Sequence, residues 1–474
     1  MRLMIDGAEV DENRIGISHE TLRRRALNYI HEAQNTLNNL NSISTQLRGL
    51  NHKDLDTKTV SSMQASLIRY RQNVEDIILH LEIILNKLGQ VDGFSQIRVI
   101  GLNNLAQRLQ KKIQEQQNPS DCKMAKYVTF DITNMCGFGC LMHQIMFCLQ
   151  LAFEKERVLI LTNYRSRDIF HEWLHQNTLP LSEKCSHEDT NDNIECPYNI
   201  NDHVAHNWLP HVLPIDMNEE LLRLHEAPYV WFAGQLAAYI LRPRPKFSEL
   251  INATLETFKA SVDPVVGVHI RRTDKVGVCS YTSLEYDMMH FIVNSKRSVY
   301  LATDDPNVFT QFSYSHPNYI LYGSPGRSHS ADVEFRMTYN SMNNAVIDVI
   351  ALSMTDFLVC TFSSNICRLA YELMQTRHME LGDATQLCHS IDFAFHEEDY
   401  KRLEFDVIIP DKKGHLKYGD IVDTFKNHGN GLASVKLDQS SKKKENNNQM
   451  YMENELFIVP AYKFRPRINI TWSN

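Results

Sequence analysis

Nowhere in the 474 residues do roughly twenty apolar side chains run together, so no membrane span is expected within them. The opening Met1-Arg2-Leu3-Met4-Ile5-Asp6 lacks the apolar core of a signal peptide, and as written the chain reads as soluble. Positive charge is not in excess either: 49 Lys and Arg stand against 57 Asp and Glu, a net −8. That balance excludes a general polyanion binder, so no nucleic-acid partner is expected and any basic site must be local. Cysteine is missing from the first 121 residues, and all ten fall from Cys122 onward. Together with the sequons Asn252-Ala253-Thr254 and Asn469-Ile470-Thr471, this points to a lumenal domain whose membrane anchor is absent from the sequence. A cytosolic chain with reduced thiols is the alternative. Neither Cys136-x-x-x-Cys140 nor Cys360-x6-Cys367 has a companion Cys or His pair at zinc-ligand spacing. Disulfides in tight loops fit better, and no metal is expected.

A chain of 474 residues, 43% of them apolar, has room for two or three folded units and a sizeable core. Met63, Leu67, Tyr70, Val74, Ile77, Leu81, Ile84 and Leu88 recur at alternating steps of four and three, which is one seam of a long helix. Leu22, Ala26, Tyr29, Ala33, Leu37, Leu40 and Leu47 follow nearly the same rhythm upstream, before a polar break at Asn51-His52-Lys53-Asp54. The two predict a helical hairpin or an oligomerising coiled coil, with a homodimer through this stem as the expected assembly. Neither needs a ligand.

From Lys126 the texture changes to short β-branched runs separated by helical patterns. Residues 127–130, 158–161, 265–270, 299–302 and 357–360 read as buried parallel strands. Such sheets bind ligands at the carboxyl ends of their strands, where nearly every polar cluster of this chain falls. After about residue 400 only β-type pieces remain, at residues 405–409, 419–422, 433–437 and 456–459. They predict a small antiparallel barrel, with the Lys- and Asn-rich run 440–448 as an exposed loop.

The densest chemistry lies in Gly267-Val268-His269-Ile270-Arg271-Arg272-Thr273-Asp274-Lys275, where a strand delivers two guanidinium groups, a carboxylate and an ammonium into one loop. Planar Arg suits bidentate contact with phosphate oxygens and stabilises charge on a departing diphosphate. A surface ion-pair cluster is the structural alternative. Gly137-Phe138-Gly139-Cys140 follows a strand and opens an apolar helix, so its amides can meet phosphate; a plain tight turn is the competing reading. Thr361-Phe362-Ser363-Ser364 is a second candidate phosphate loop, with Asn365 starting its helix. Thr303-Asp304-Asp305 invites a divalent cation, but the Arg pair already supplies positive charge, so hydrogen bonding to a donor or helix capping fits better.

Val266 to Lys275 resembles the first motif of the GDP-fucose-using α1,2-, α1,6- and protein O-fucosyltransferases. Residues 300–306 and 356–364 are similar, more specifically, to the α1,6-fucosyltransferase family that modifies the innermost GlcNAc of N-glycans, with this chain a divergent member. The resemblance implies an α/β fold: a GT-B-like catalytic region with a Rossmann-type parallel sheet at 118–398, after a coiled-coil helical stem at 1–117. An SH3-like β-barrel at 399–466 and a tail at 467–474 complete it. It implies that Arg271 binds the β-phosphate, with Gly139, Cys140 and Ser364 at the diphosphate and Ser363 elsewhere in the donor site. His269 and Asp348 would read guanine, Arg272, Asp304 and Asp305 would line the donor site, and Lys275 would lie on the acceptor side. It implies the disulfides Cys122–Cys185, Cys136–Cys140 and Cys360–Cys367. The expected reaction is inverting and metal-independent: fucose passes from GDP-fucose, with no other cofactor, to the GlcNAc 6-hydroxyl in the Golgi.

Two departures stand out. The family places a Glu shortly after its Lys-Val-Gly segment, whereas here Val278-Cys279-Ser280-Tyr281 follow and the next carboxylate is Glu285. A missing general base costs roughly a hundred- to ten-thousandfold in rate, unless Asp274 or Glu285 supplies one. The family's barrel Trp is replaced in Asn427-His428-Gly429-Asn430-Gly431. A catalytically weakened paralogue that binds GDP-fucose or glycan, and a protein O-fucosyltransferase, are the alternatives.

Overall fold

The computed structural model describes residues 3–5, 8–10, 93–132, 137–162, 169–186, 192–196, 213–259, 261, 264–273, 298–332, 334–362, 364–390, 404–407, 416–427, 432–437, 456–460 and 464–466, with isolated helical positions between 26 and 89. Two compact units emerge, Met1–Ile97 with His396–Ile468, and Arg98–Phe395 with Asn469–Asn474.

In the smaller unit, β1 (Leu3–Ile5) and β2 (Ala8–Val10) pair antiparallel. Ile30 is buried, and Ala33, Val74 and Leu85 pack against it, so the two heptad stretches touch. Leu81 of the expected seam is 41% exposed. Most other heptad positions lie outside the described residues.

Helix α1 (Phe94–Gln117) carries Leu102, Leu105, Leu109 and Ile113 at steps of three and four, all at most 2% exposed. Each such burial contributes roughly 1.5–3 kcal/mol. Gln110 Nε2 donates to the Gln235 carbonyl at 2.8 Å, and Gln116 Nε2 to the carbonyls of Ala152 at 2.8 Å and Arg157 at 2.7 Å. From Arg98 onward this helix is built into the larger unit.

The larger unit holds two parallel sheets. In the first, β3 (Tyr127–Asp131) lies between β4 (Val158–Thr162) and β5 (Asn193–Glu195), with α2 (Phe138–Glu154) crossing from β3 to β4 and α3 (Ile169–Asn177) following. Strand β5 is exposed throughout and has no apolar alternation, which is why no sequence pattern marks it. The disulfides Cys122–Cys185 and Cys148–Cys196 staple this half. No motif or spacing announces the second.

Helices α4 (Ile215–Leu224), α5 (Pro228–Ile240) and α6 (Pro245–Lys259) lead to the second sheet. Helix α5 starts on Pro228, whose missing N–H costs nothing in a first turn. It is apolar on nearly every side and is buried accordingly.

The second sheet combines β6 (Val265–Ile270), β7 (Ser298–Thr303), β8 (Ile320–Gly323), β9 (Phe357–Cys360) and β10 (Cys388–Ser390) in the order β10-β9-β6-β7-β8. Its helices are α7 (Asn307–Ser315), α8 (Pro325–Ser330), α9 (Tyr339–Ser353) and α10 (Asn365–Arg377). Strands β6 and β7 are buried at every position, as mostly apolar runs in a sheet covered on both faces are. Val268, Ile270 and Leu301 face α7 and share a core with Val308, Phe309 and Phe312. The opposite face meets α9: a Cβ on Gly267 would collide with Thr355 and Leu352.

In the smaller unit β11 (Glu404–Val407), β12 (Ile421–Asn427), β13 (Leu432–Leu437), β14 (Leu456–Pro460) and β15 (Phe464–Pro466) form one antiparallel sheet in the order β14-β13-β12-β11-β15. Val407, Leu416, Val422, Val435 and Val459 make its core. Among the described residues no helix is long and apolar enough to cross a membrane.

Candidate active site

From β6 the chain moves outward through β7 to β8, then returns to the other flank of β6 for β9 and β10. The direction reverses between β6 and β9, and open parallel sheets leave a ligand crevice at such a switch, beyond the carboxyl ends of the strands. Arg271 leaves β6 there, and Ser364 follows β9.

His269 is 7% exposed, and its Nδ1 has no hydrogen-bond partner among the described residues. Burial pushes the imidazole down to about 4; Asp304 opposes that shift, and the Arg271 guanidinium adds to it. The ring is therefore neutral at physiological pH, with Arg271's positive charge beside it.

Arg272 is engaged by acceptors of the protein itself. The two-residue alternation carries Arg272 to the α7 side, where its guanidinium donates to Gln311 Oε1 at 2.9 Å and reaches Asp305 Oδ2 at 3.4 Å. Asp304 Oδ1 accepts from the Arg272 amide at 2.7 Å, and its Oδ2 from the Thr273 amide at 3.2 Å and hydroxyl at 2.6 Å. Asp305 Oδ1 accepts from the Asn307 amide at 3.0 Å, at the start of α7. Both carboxylates thus brace the loop after β6. Asp274, Lys275, Ser363 and Glu285 lie outside the described residues.

Tyr300 pairs with Gly267 in register and so lies on the same face as His269. Its hydroxyl donates to Asp348 Oδ1 at 2.7 Å, which also accepts from Arg327 Nε at 2.8 Å, while Arg327 Nη2 donates to the Tyr300 oxygen at 3.0 Å. Burial raises the Asp348 carboxyl, and Arg327 and Tyr300 pull it back. Burial, then the Asp348 carboxylate, hold the Tyr300 phenol well above its usual value. Only Asp348 of this trio stood out in the sequence, because Tyr300 reads as a strand residue and Arg327 lies in no motif.

The two glycine and serine loops come together. The N-cap positions of α2 and α10 are Gly137 and Ser364, and neither side chain caps its helix. Ser364 is fully buried, with its hydroxyl unpartnered among the described residues. A Cβ on Gly139 would lie 2.8 Å from the carbonyl carbon of Asn365, so the helix starts touch and only glycine permits the approach. Two sets of uncapped amides and two positive dipole ends converge on one place, an arrangement suited to an anion. The Cys360–Cys367 disulfide closes the loop that carries Ser364. Cys140 is disulfide-bonded as well, and Cys136 lies outside the described residues.

A model of the alpha-(1,6)-fucosyltransferase N- and catalytic domains matches residues 2–396. The chain belongs to the alpha-(1,6)-fucosyltransferase family. As a member of that family it is a glycosyltransferase. An alpha-(1,6)-fucosyltransferase of Drosophila melanogaster is 29% identical over 448 residues, 89% of this chain and 70% of the relative. One of Caenorhabditis elegans is 30% identical over 411 residues, 80% of this chain and 70% of the relative. The solved structure of the fucosyltransferase NodZ from Bradyrhizobium aligns at a TM-score of 0.32 and 14% identity, over 52% of this chain and 92% of that one.

Proposed function

We propose that this member of the family transfers fucose from GDP-fucose to the 6-hydroxyl of the innermost GlcNAc of protein N-glycans, with inversion, in the Golgi lumen. The observation that carries the reading is the meeting of the α2 and α10 N-termini at Gly139 and Asn365, beside the strand end that bears Arg271. A nucleoside diphosphate leaving group offers the charge such a cradle is built to hold.

In the proposed reaction the bond between the sugar C1 and the β-phosphate oxygen breaks as the GlcNAc O6 bonds to C1 from the opposite face. Arg271 and the first-turn amides of both helices take up the charge on the departing diphosphate, without a metal. Neutral His269 and Asp348 read the base. Arg272, Asp304 and Asp305 hold the loop that aims Arg271. The proton of the acceptor hydroxyl goes to a carboxylate, for which Asp274 and Glu285 are the candidates in place of the family's Glu. Lys275 orders the acceptor end.

Incubation with GDP-fucose and an agalacto N-glycan bearing exposed terminal GlcNAc tests the reading. Fucose on the innermost GlcNAc is the expected product, and Arg271→Ala lowers its formation on the order of a thousandfold in a folded protein. GDP binding without turnover would leave the chain a donor-binding protein, and absence of GDP binding would remove the donor assignment.

A further inference from the structure

The convergence of two helix starts needs something behind it to hold them in register. One turn into α2, His143 is buried, and its Nδ1 lies 2.6 Å from the Gly139 carbonyl oxygen. Its Nε2 lies 3.2 and 3.1 Å from the two carboxylate oxygens of Glu372, two turns into α10 and itself buried. Residues four and seven apart share a helix face, so each side chain sits behind the end that meets its counterpart at Gly139 and Asn365. Helix α5 packs on the same turn of α10, where a Cβ on Gly234 would overlap the Glu372 carbonyl.

The donor and acceptor count is restrictive. A carbonyl only accepts, so Nδ1 carries a proton. The other nitrogen faces a carboxyl group, so one further proton lies between Nε2 and Glu372, whichever atom holds it. The pair is thereby a hydrogen-bonded bridge from the Gly139 carbonyl across to α10, inside the protein, where an unpaired group is costly and the geometry is correspondingly firm.

We propose that His143 and Glu372 are positioning residues for the donor diphosphate: they hold the α2 start, with its Phe138 and Gly139 amides, against the α10 start with Ser364. The inference rests on the diphosphate reading above. It predicts that breaking the bridge moves the phosphate donors apart, and displacements of about 1 Å at such a site cost roughly 10- to 100-fold.

The test compares GDP affinity by calorimetry with the KM values for GDP-fucose and for the agalacto glycan, in the wild type and three variants. Glu372→Leu removes the acceptor at similar volume; the GDP-fucose KM and GDP Kd are expected to rise roughly 10- to 100-fold while the glycan KM stays within about twofold. Glu372→Gln presents an amide N–H to the neutral imidazole, keeps both hydrogen bonds and restores donor affinity to within about threefold of wild type. Should Glu372→Leu fail to fold, His143→Asn takes its place, since Asn keeps the bond to Gly139 but cannot reach Glu372; it is expected to repeat the donor-selective loss. Unchanged GDP affinity in a folded Glu372→Leu or His143→Asn protein overturns the proposal, as does a parallel rise in both KM values. Failure of the wild type to bind GDP overturns the diphosphate reading instead.

Discussion

In the proposed donor site the two halves of the larger unit contribute in different ways. The half built on β3 offers backbone: Phe138 and Gly139 bring their amides to the start of α2, with no charged side chain on that turn. The half built on β6 and β9 adds side chains, His269, Arg271 and the buried Ser364 hydroxyl, to its own helix start. Anion recognition by backbone demands position above all, because each amide contributes little and only convergence adds them up. Recognition by a guanidinium demands one charge in the right place and tolerates a rougher scaffold.

Arg271→Ala is the sharpest way to test that division. The charged half should lose on the order of 10³-fold in kcat/KM, about 4 kcal/mol, with stability unchanged. A loss under tenfold would mean that the backbone half carries the diphosphate alone.

His269 probes the same half through pH. Its folded value of about 4 lies below the unfolded value near 6.5, so the unfolded chain takes up a proton the folded one refuses. The corresponding stability is present above about pH 6.5 and disappears as pH falls toward 4, amounting to up to roughly 3 kcal/mol. His269→Gln should flatten this part of the denaturation profile, and an unchanged slope would assign the pH dependence elsewhere.

Gly139→Ala tests the backbone half. Its Cβ would press within 3.0 Å of Asn365 backbone atoms, so the helix starts must separate, weakening GDP by about 30-fold, close to 2 kcal/mol. Isothermal titration reads this directly, and undiminished affinity would show that the contact is not required.

The smallest effect belongs to Arg272→Ala. Its guanidinium, 27% exposed, engages Asp305 and Gln311 away from the crevice, so stability should fall by less than about 1 kcal/mol and donor KM by no more than about threefold either way. A loss comparable to that of Arg271→Ala would restore the two arginines to a common role.

Much of the scaffold was legible. Strands β3, β4, β6, β7 and β9 stand where continuous β-branched runs predict them, and their carboxyl ends carry the polar loops. Strands β5 and β8 were not, since three and four partly or fully exposed residues leave no periodic trace. The antiparallel strands appear near their expected places, but β15 is too short to register in a sequence. Asp304 illustrates a different limit: a strand-end carboxylate announces a polar role without saying whether its partner is a ligand or the neighbouring loop.

By itself the sequence determined which segments form the central strands, because a short, mostly apolar run fits best in the middle of a covered sheet. It also determined that a permanent positive charge ends β6. Only the tertiary structure decided that Gly139 touches Asn365, that His143 finds Glu372 across 229 residues, that Cys148 joins Cys196, and that Arg272 turns away from Arg271. These are contacts between distant segments whose meeting depends on how whole helices pack, and helix packing is a property of faces and volumes that no local pattern of residues records.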